Sequence, residues 1–265
     1  MDIQKYHRKP ANLVRNFLKT AIPVVLVFVA GQYTVLSVMA VREKMREINQ
    51  QVDVQLSAMN NDSVNASLFE WYKEKNWLET RFQIARTDSI SLSVNLKDSV
   101  VQLELKGVVL KTSKITDFKA DQFFYRLNPG AYHHLFGVQA QTTGSLSTIP
   151  KEPLTVKKAP KDTTEVETAQ ADTARAKAEA VHWMMSLDKD VILKIEGTNQ
   201  DSKVKWNGQK FWFSQTIAEI RRDMSQTIRF KQPVYQPEIR LVIPEADAKA
   251  IYRALPVHPL VCIRF

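Results

Sequence analysis

The chain contains very little cysteine, glycine or histidine, and each shortage excludes a class of site. Among its 265 residues only Cys262 is a cysteine, which rules out an intramolecular disulfide and a metal site built on several thiolates. Seven glycines leave little material for a glycine-rich phosphate loop, and no Gly-x-Ser-x-Gly elbow occurs. Five histidines include the pair His133-His134, but no other ligand cluster stands at metal-binding spacing. We therefore expect neither a metal site nor a cofactor.

Charge is also absent from one long stretch near the N-terminus. The 22 residues from Thr20 to Val41 include no charged side chain. A helix of that length runs about 33 Å, enough to cross the hydrocarbon core of a bilayer. A cleaved signal peptide has a shorter apolar region followed by a small-residue cleavage site, whereas here a charged helical pattern follows directly. We therefore predict an uncleaved transmembrane helix over residues 20–41.

The basic residues around this segment predict its orientation. Five Lys and Arg residues precede it in the tail 1–19, and three closely follow it. The positive-inside rule therefore leaves the tail in the cytoplasm and places the rest of the chain on the other side of the membrane. The formal net charge of +9 is spread thinly beyond residue 60, where 29 bases meet 24 acids, so we expect no nucleic-acid partner.

Beyond residue 41 an apolar stripe marks one face of a continuing helix. Its spacings of three and four residues are typical of an amphipathic helix, and its members after Val41 are Met45, Ile48, Val52, Leu56 and Met59. The stripe spans under three heptads, so it fits self-association or a protein partner as well as packing on the chain's own domain. A second short helix, capped by Asn65 or Ser67, is predicted after it. We therefore assign residues 42–85 to a helical stalk.

Residues 86–265 carry the pattern of a β-rich domain, so the predicted fold class is α+β. Alternating polar and apolar residues predict an antiparallel meander from Ile90 to Ile115. Residues 150–180, rich in proline and balanced charge, cannot bury enough apolar area to fold, and we predict a disordered insertion. The other predicted elements are a helical or looped segment at Phe118–Phe136, strands at Gln139–Ile149, Trp183–Leu187, Val191–Ile195, Ile239–Ile243 and Val261–Phe265, and helices within Phe211–Arg222, opened by Ser214, and after Pro244.

Three segments of this domain occur in an order that points to a known family. The closing segment runs from Glu238-Ile239-Arg240-Leu241 through the helix-like stretch 246–255 to Val261-Cys262-Ile263. The other two are the opening meander and Val191–Thr198, which ends Ile-Glu-Gly-Thr. Together they resemble the L,D-transpeptidase (YkuD-type) domain, which has Cys-Ile-Arg-Leu, a following helix and Ile-His-Gly-Thr. The resemblance implies a YkuD-like fold in the bacterial cell envelope. The anchor would then lie in the inner membrane and the domain in the periplasm or outside the cell.

The departures from the family's pattern fall on its catalytic residues. Glu238 stands where the family has its nucleophilic cysteine, and Glu196 where it has the histidine of Ile-His-Gly-Thr. A carboxylate is a poor substitute for a thiolate in acyl transfer, and no histidine lies near residue 238, so the resemblance implies a pseudoenzyme. Glu196, Glu238 and Arg240 would then line the relic of the cleft and bind peptidoglycan peptide or a protein partner. That hypothesis predicts that the Cα atoms of these three residues cluster in one pocket, and it fails if Glu196 and Glu238 lie on opposite faces.

Two other chemistries and one other function remain open. Cys262-Ile263-Arg264-Phe265 also reads like the nucleophile motif, but His258 is four residues upstream, and a buried core cysteine is the expectation. Glu196 and Glu238 could act as the acid–base pair of a glycan hydrolase or could be salt-bridged to Arg240. The alternative function is a bitopic scaffold of a division, secretion or pilus assembly complex, acting through the stalk helix.

Overall fold

The computed structural model describes residues 10–50, 63–151, 181–198, 210–217, 221 and 234–265. Nearly all of the predicted insertion at 150–180 lies outside these ranges. So do Val52, Leu56 and Met59 of the apolar stripe that begins at Val41, which we call the stalk stripe. The helices are α1 (Pro10–Gln50), α2 (Ser63–Ala85), α3 (Pro129–Phe136), α4 (210–217) and α5 (Glu245–Ala254), with a 3-10 turn at Phe124–Arg126. The strands are β1 (Ile90–Asn95), β2 (Val100–Leu105), β3 (Val108–Lys114), β4 (Asp117–Ala120), β5 (Ala140–Ser147), β6 (His182–Leu187), β7 (Ile192–Thr198), β8 (Glu238–Pro244) and β9 (Leu260–Arg264).

Helix α1 is long and apolar enough to cross a membrane, by length and composition. Its segment Ala21–Gln50 contains an 18-residue window of mean hydropathy 2.1, of which only 6% is buried. Val27 and Phe28 are among its exposed apolar side chains. The predicted N-terminal apolar helix and its continuation past Val41 are confirmed. The helix up to Met45 belongs to one compact unit, and the sheet with α2, α3 and α5 belongs to another.

The nine strands of the described residues form one sheet in the order β3-β2-β1-β9-β5-β6-β7-β8-β4. Strands β1 to β3 are the predicted antiparallel meander, and the two-residue turn Lys106-Gly107 joins β2 to β3. Both turn residues have positive φ, 52° and 79°, which is the geometry of the hairpin turns that suit twisted strands. A Cβ at Gly107 would also lie 3.2 Å from Cβ of Ala85, so glycine serves both the turn and the packing.

The two ends of the sheet are consecutive in the chain. Strand β3 pairs with β2, and only two residues later β4 pairs antiparallel with β8. At the junction the backbone N–H of Ile115 donates to Ser99, and that of Thr116 donates to Val242, both at 2.8 Å. The segment from β3 to β4 therefore closes the sheet on itself. The helical or looped interpretation of Phe118–Phe136 is wrong for its first residues, because the pairing of β4 is supplied by a strand more than 100 residues away.

One face of the sheet forms the hydrophobic core. Along β7 and β8 the paired residues Leu193 with Ile239 and Ile195 with Leu241 are fully buried. Trp183 on β6 lies opposite Ile195, and its indole Nε1–H donates to the carbonyl of Ala248 on α5 at 3.2 Å. Helix α5 therefore packs against this face. Its first turn is fixed to β3 because Asp247 accepts from Lys111 at 2.7 Å and from Ser113 at 2.8 Å.

Helix α2 is 23 residues long and packs on the sheet instead of standing apart as a short stalk helix. Its Arg81 pairs with buried Glu104 of β2 at 2.8 Å, and its Glu74 pairs with buried Arg264 of β9 at 3.3 Å. The ring of Trp77 lies between the two guanidinium groups, 4.5 Å from Arg81 and 5.3 Å from Arg264. Residues 63–85 therefore belong to the same compact unit as the sheet.

Candidate functional site

The parallel pairing of β7 with β8 brings the predicted site residues together. Lys194 lies directly opposite Arg240, while Glu238 lies opposite Ile192 and Glu196 opposite Val242. Because side chains two residues apart point to the same face of a strand, all four charged side chains share the face opposite the aliphatic core. We call Lys194, Glu196, Glu238 and Arg240 the charged cluster. Lys194 is buried and the other three are partly exposed.

The ion pairs of the charged cluster run diagonally across the two strands. Lys194 pairs with Glu238, which lies two residues before Arg240, the register partner of Lys194 on β8. Arg240 pairs through Nε with Oε1 of Glu196 at 3.4 Å, and Glu196 lies two residues after Lys194 on β7. A further contact of 4.0 Å joins Nη2 of Arg240 to Oε1 of Glu238. Each carboxylate is thus compensated by a cation, as a charged group removed from water requires.

Trp212 of α4 covers the charged cluster. Its ring centroid lies 5.5 Å from Nζ of Lys194 and 5.4 Å from Cζ of Arg240, distances at which a cation is attracted to an indole face. Helix α4 already spans residues 210–217, so the prediction that Ser214 opens it is wrong. Ser214 instead donates its hydroxyl to the carbonyl of Phe211 at 2.8 Å, one turn back. Such a bond is compatible with a helix interior.

His182 borders the charged cluster on β6. It lies opposite Glu196 in the β6–β7 register, and its ring meets that of Trp212 edge to face with centroids 6.0 Å apart. Burial lowers the pKa of the imidazole to about 4. Since desolvation penalises the imidazolium, His182 is neutral at physiological pH. It therefore adds no positive charge beside the cations that already hold Glu196.

The protonation of Glu196 reflects two opposing effects. Burial raises the pKa of this carboxyl, while Arg240, Lys194 and Lys119 act in the opposite direction. Lys119 lies on β4 opposite Arg240, and Asp117 of the same strand lies opposite Val242. The net direction is upward, so desolvation outweighs the nearby cations. The β4 strand thus adds one base and one acid to the rim of the same face.

The structure places Glu196, Glu238 and Arg240 on one face of adjacent strands, so the arrangement that would have excluded the relic-cleft hypothesis does not occur. It also places Arg240 in contact with both glutamates, as the salt-bridge alternative requires. Whether these residues bind a ligand stays a prediction. Sequence reasoning missed Lys194, although it is two residues from Glu196 in the same strand pattern. It also missed Trp212, because nothing in the sequence links α4 to this face.

The competing nucleophile is inaccessible. Cys262 is buried in β9, and burial raises the pKa of its thiol to about 12. Such a thiol is protonated at physiological pH and does not act as a nucleophile. His258 directs Nδ1 to the carbonyl oxygen of Thr142 at 2.9 Å. The prediction that Cys262 is a buried core residue is confirmed.

The other candidate groups lie apart from the charged cluster. His133 directs Nδ1 to the side-chain oxygen of Asn76 at 3.1 Å, within the contact between α2 and α3. Among the described residues no group of three or more His, Cys, Asp or Glu side chains converges on a metal-sized site. A small pocket lies elsewhere, between α3 and the ends of β6 and β9, where Lys189 donates to the carbonyls of Leu135 and Val138. The charged cluster therefore stays the candidate site.

Comparisons with protein-family models, with curated proteins and with solved structures find no match to this chain. The L,D-transpeptidase resemblance thus rests only on the opening meander, on Val191–Thr198 and on the closing segment that begins at Glu238.

Proposed function

We propose that this chain is a membrane-anchored, non-catalytic binding module of the bacterial cell envelope, a degenerate L,D-transpeptidase-like domain that binds peptidoglycan peptide at the charged cluster. The observation that carries the proposal is the diagonal pair of ion pairs between β7 and β8. Glutamates stand at the two positions that align with the family's histidine and cysteine, and both are held by cations. Such carboxylates are suited to recognising charge more than to attacking a carbonyl.

The proposed anchor is helix α1, with residues 1–19 in the cytoplasm. Its support is the uncharged run from Thr20 to Val41 and the excess of Lys and Arg ahead of it. Under this topology the sheet lies on the far side of the inner membrane, where peptidoglycan is found. The tether would keep the domain within reach of the wall.

The chemistry of the charged cluster suits a peptide that carries both signs of charge. Peptidoglycan stem peptides present free carboxylates and, in many walls, free ammonium groups. Side-chain exposures of 37% for Arg240 and 33% for Glu238 leave one cation and one anion accessible side by side. A ligand carboxylate would meet Arg240 and a ligand ammonium would meet Glu238, each through a charge-assisted hydrogen bond. Lys194 and Trp212 would hold these two side chains in position.

The test is a co-sedimentation assay of the full chain, in mild detergent, with purified peptidoglycan sacculi. The full chain is needed because α2 is packed on the sheet, so a fragment that begins at residue 86 would lose part of the fold. We expect wild-type protein to pellet with sacculi and the Arg240→Gln variant to pellet about tenfold less, since one direct ionic contact is removed. The matched control is Lys106→Gln, which changes an exposed lysine at the β2–β3 turn, away from the charged cluster.

The control should pellet like wild type. If wild type stays in the supernatant, the peptidoglycan proposal is wrong and the scaffold function becomes the better account. That alternative rests on the stalk stripe, of which Val41 and Met45 are partly buried and Ile48 is 2% exposed. Its partner-binding role stays a prediction, which loss of partner association on polar substitution of the partly buried Met45 would test.

A further inference from the structure

Helix α2 has a second apolar face, opposite the one packed on the sheet. Asn76, Trp77, Thr80 and Ile84 are buried against the domain. On the other side Leu68, Trp71, Leu78 and Phe82 are 46%, 72%, 50% and 62% exposed. With Lys75 these residues form a row at spacings of 3, 4, 3 and 4, which we call the α2 stripe.

The exposed apolar area of the α2 stripe is as large as the largest apolar patch on a typical monomer. Two aromatic and two leucine side chains, each about half or more exposed, present on the order of 400 Å² of apolar area. The largest apolar patch on a typical monomer is often a functional surface. Two such surfaces brought together would bury on the order of 1,000 Å² once their flanks are included, near the lower bound for a specific interface.

The order of side chains along the α2 stripe is complementary to its own reverse. Around Lys75 the apolar residues lie seven and four positions before and three and seven positions after. An antiparallel copy centred on Lys75 therefore sets Leu68 directly against Phe82 and brings Trp71 within one residue of Leu78, about 1.5 Å along the helix axis. Each apolar contact then joins one leucine to one aromatic ring, which fills space without opposing two indoles. This is the self-complementarity that an interface with two-fold symmetry requires.

We propose that α2 pairs antiparallel with α2 of a second copy of this chain through the α2 stripe. Spacings of three and four residues give the shallow crossing of coiled-coil-like helix pairs. The proposal goes beyond peptide binding at the charged cluster, which lies on β7 and β8 and uses no residue of α2. It also gives the membrane-anchored chain a dimeric form independent of the stalk stripe.

The charges at the centre of the α2 stripe fit this arrangement. Lys75 contacts Glu79 of its own helix at 3.7 Å, and both side chains are more than half exposed. In the antiparallel pair the two Lys75 side chains meet at the axis, and each has the partner's Glu79 one turn away. Each Lys75 therefore has the Glu79 side chains of both helices within about one turn. A polar residue at such a central position fixes register at some cost in stability.

The first experiment is disulfide trapping in the full chain. A Lys75→Cys substitution places two thiols at the proposed two-fold axis. Gln83→Cys is the matched control, because Gln83 is exposed on α2 but lies about 100° around the helix from Phe82 and so outside the α2 stripe. The native Cys262 is buried and does not compete. We expect Lys75→Cys to cross-link about tenfold faster than Gln83→Cys, since proximity raises the effective thiol concentration. Equal rates would overturn the proposal.

The second experiment uses charge reversal at exposed positions, which leaves folding intact. Lys75→Glu should convert the dimer to monomer in light scattering of the detergent-solubilised chain, because it sets four acids together. Lys75→Glu with Glu79→Lys should restore the dimer. A wild-type monomer, a dimer insensitive to Lys75→Glu, or a stripe whose Trp71 is quenched by lipid-phase probes while the chain stays monomeric would each contradict pairing with a second copy.

Discussion

Lys194 and Arg240 lie side by side at the same register position of two parallel strands, and both cations face the ring of Trp212. Two like charges at neighbouring positions would repel each other. Here each is paired diagonally with a glutamate of the other strand, and the indole face adds a further attraction. A second tryptophan, Trp77, lies between Arg81 and Arg264 on α2 and β9 in a related manner.

Removing the shared cation should destabilise the fold. Arg240→Gln leaves Glu196, whose pKa is already raised by burial, without its nearest counter-charge. We expect a loss of about 2 kcal/mol in the free energy of unfolding, below the values for fully buried pairs because Arg240 is partly exposed. Lys106→Gln, at an exposed pair with Asp88, should change it by less than about 0.5 kcal/mol. Urea unfolding followed by tryptophan fluorescence measures both, and equal effects would contradict a special role for Arg240.

The aliphatic face of β7 should tolerate truncation poorly. Leu193 is fully buried opposite Ile239 and Met185, so Leu193→Ala should cost about 3 kcal/mol through lost contacts and a residual cavity. Leu146 on β5 is about half exposed, and Leu146→Ala should cost less than about 1 kcal/mol. Thermal unfolding of both variants in one detergent provides the comparison. Similar melting temperatures would place Leu193 outside the core.

His182 should make stability depend on pH. Its pKa is lowered to about 4 in the folded chain, against an ordinary value of 6.5. Between these values the unfolded chain binds more protons, so stability falls as pH decreases from 6.5 towards 4. We expect a loss of about 2 kcal/mol over that range. His182→Phe keeps a ring against Trp212 and should lack this part of the slope; a slope unchanged in the variant would assign it to other groups.

The single thiol should be protected in the native chain. Because Cys262 is buried and its pKa is raised to about 12, iodoacetamide at pH 8 should label native protein at least about 100-fold more slowly than urea-unfolded protein. Mass spectrometry of the intact chain measures the extent of labelling. The Gln83→Cys variant, with one exposed thiol added, is the internal standard and should gain a single label rapidly. Rapid double labelling would show that β9 opens.

Local patterns were sufficient to predict most elements. The alternation at Ile90–Ile115 correctly predicted the meander. The proline and the acid at Pro244-Glu245 correctly predicted where α5 begins. The uncharged run from Thr20 to Val41 predicted an apolar helix where the structure has one. These predictions depend only on neighbours in sequence, which is why they agree with the structure.

The sequence patterns did not predict which distant strands pair with each other. The alternation along Lys194–Glu196 and along Glu238–Arg240 shows that each pair shares a face, but their ion pairs follow from the parallel register of β7 and β8, whose residues are more than 40 positions apart. The covering of that face by Trp212 and the closure of the sheet by β4 depend on contacts of the same kind. The α2 stripe is visible in the sequence, yet its exposure depends on which face α2 buries.

The most direct test of the central proposal combines binding and chemistry in one reaction. The detergent-solubilised full chain is incubated with sacculi, the pellet is assayed for protein, and the muropeptides are then released and separated by chromatography with mass detection. We predict that wild type pellets, that Arg240→Gln pellets about tenfold less, and that the muropeptide profile equals that of sacculi incubated without protein. New cross-linked or cleaved muropeptides that depend on Glu196 or Glu238 would contradict a non-catalytic binding module.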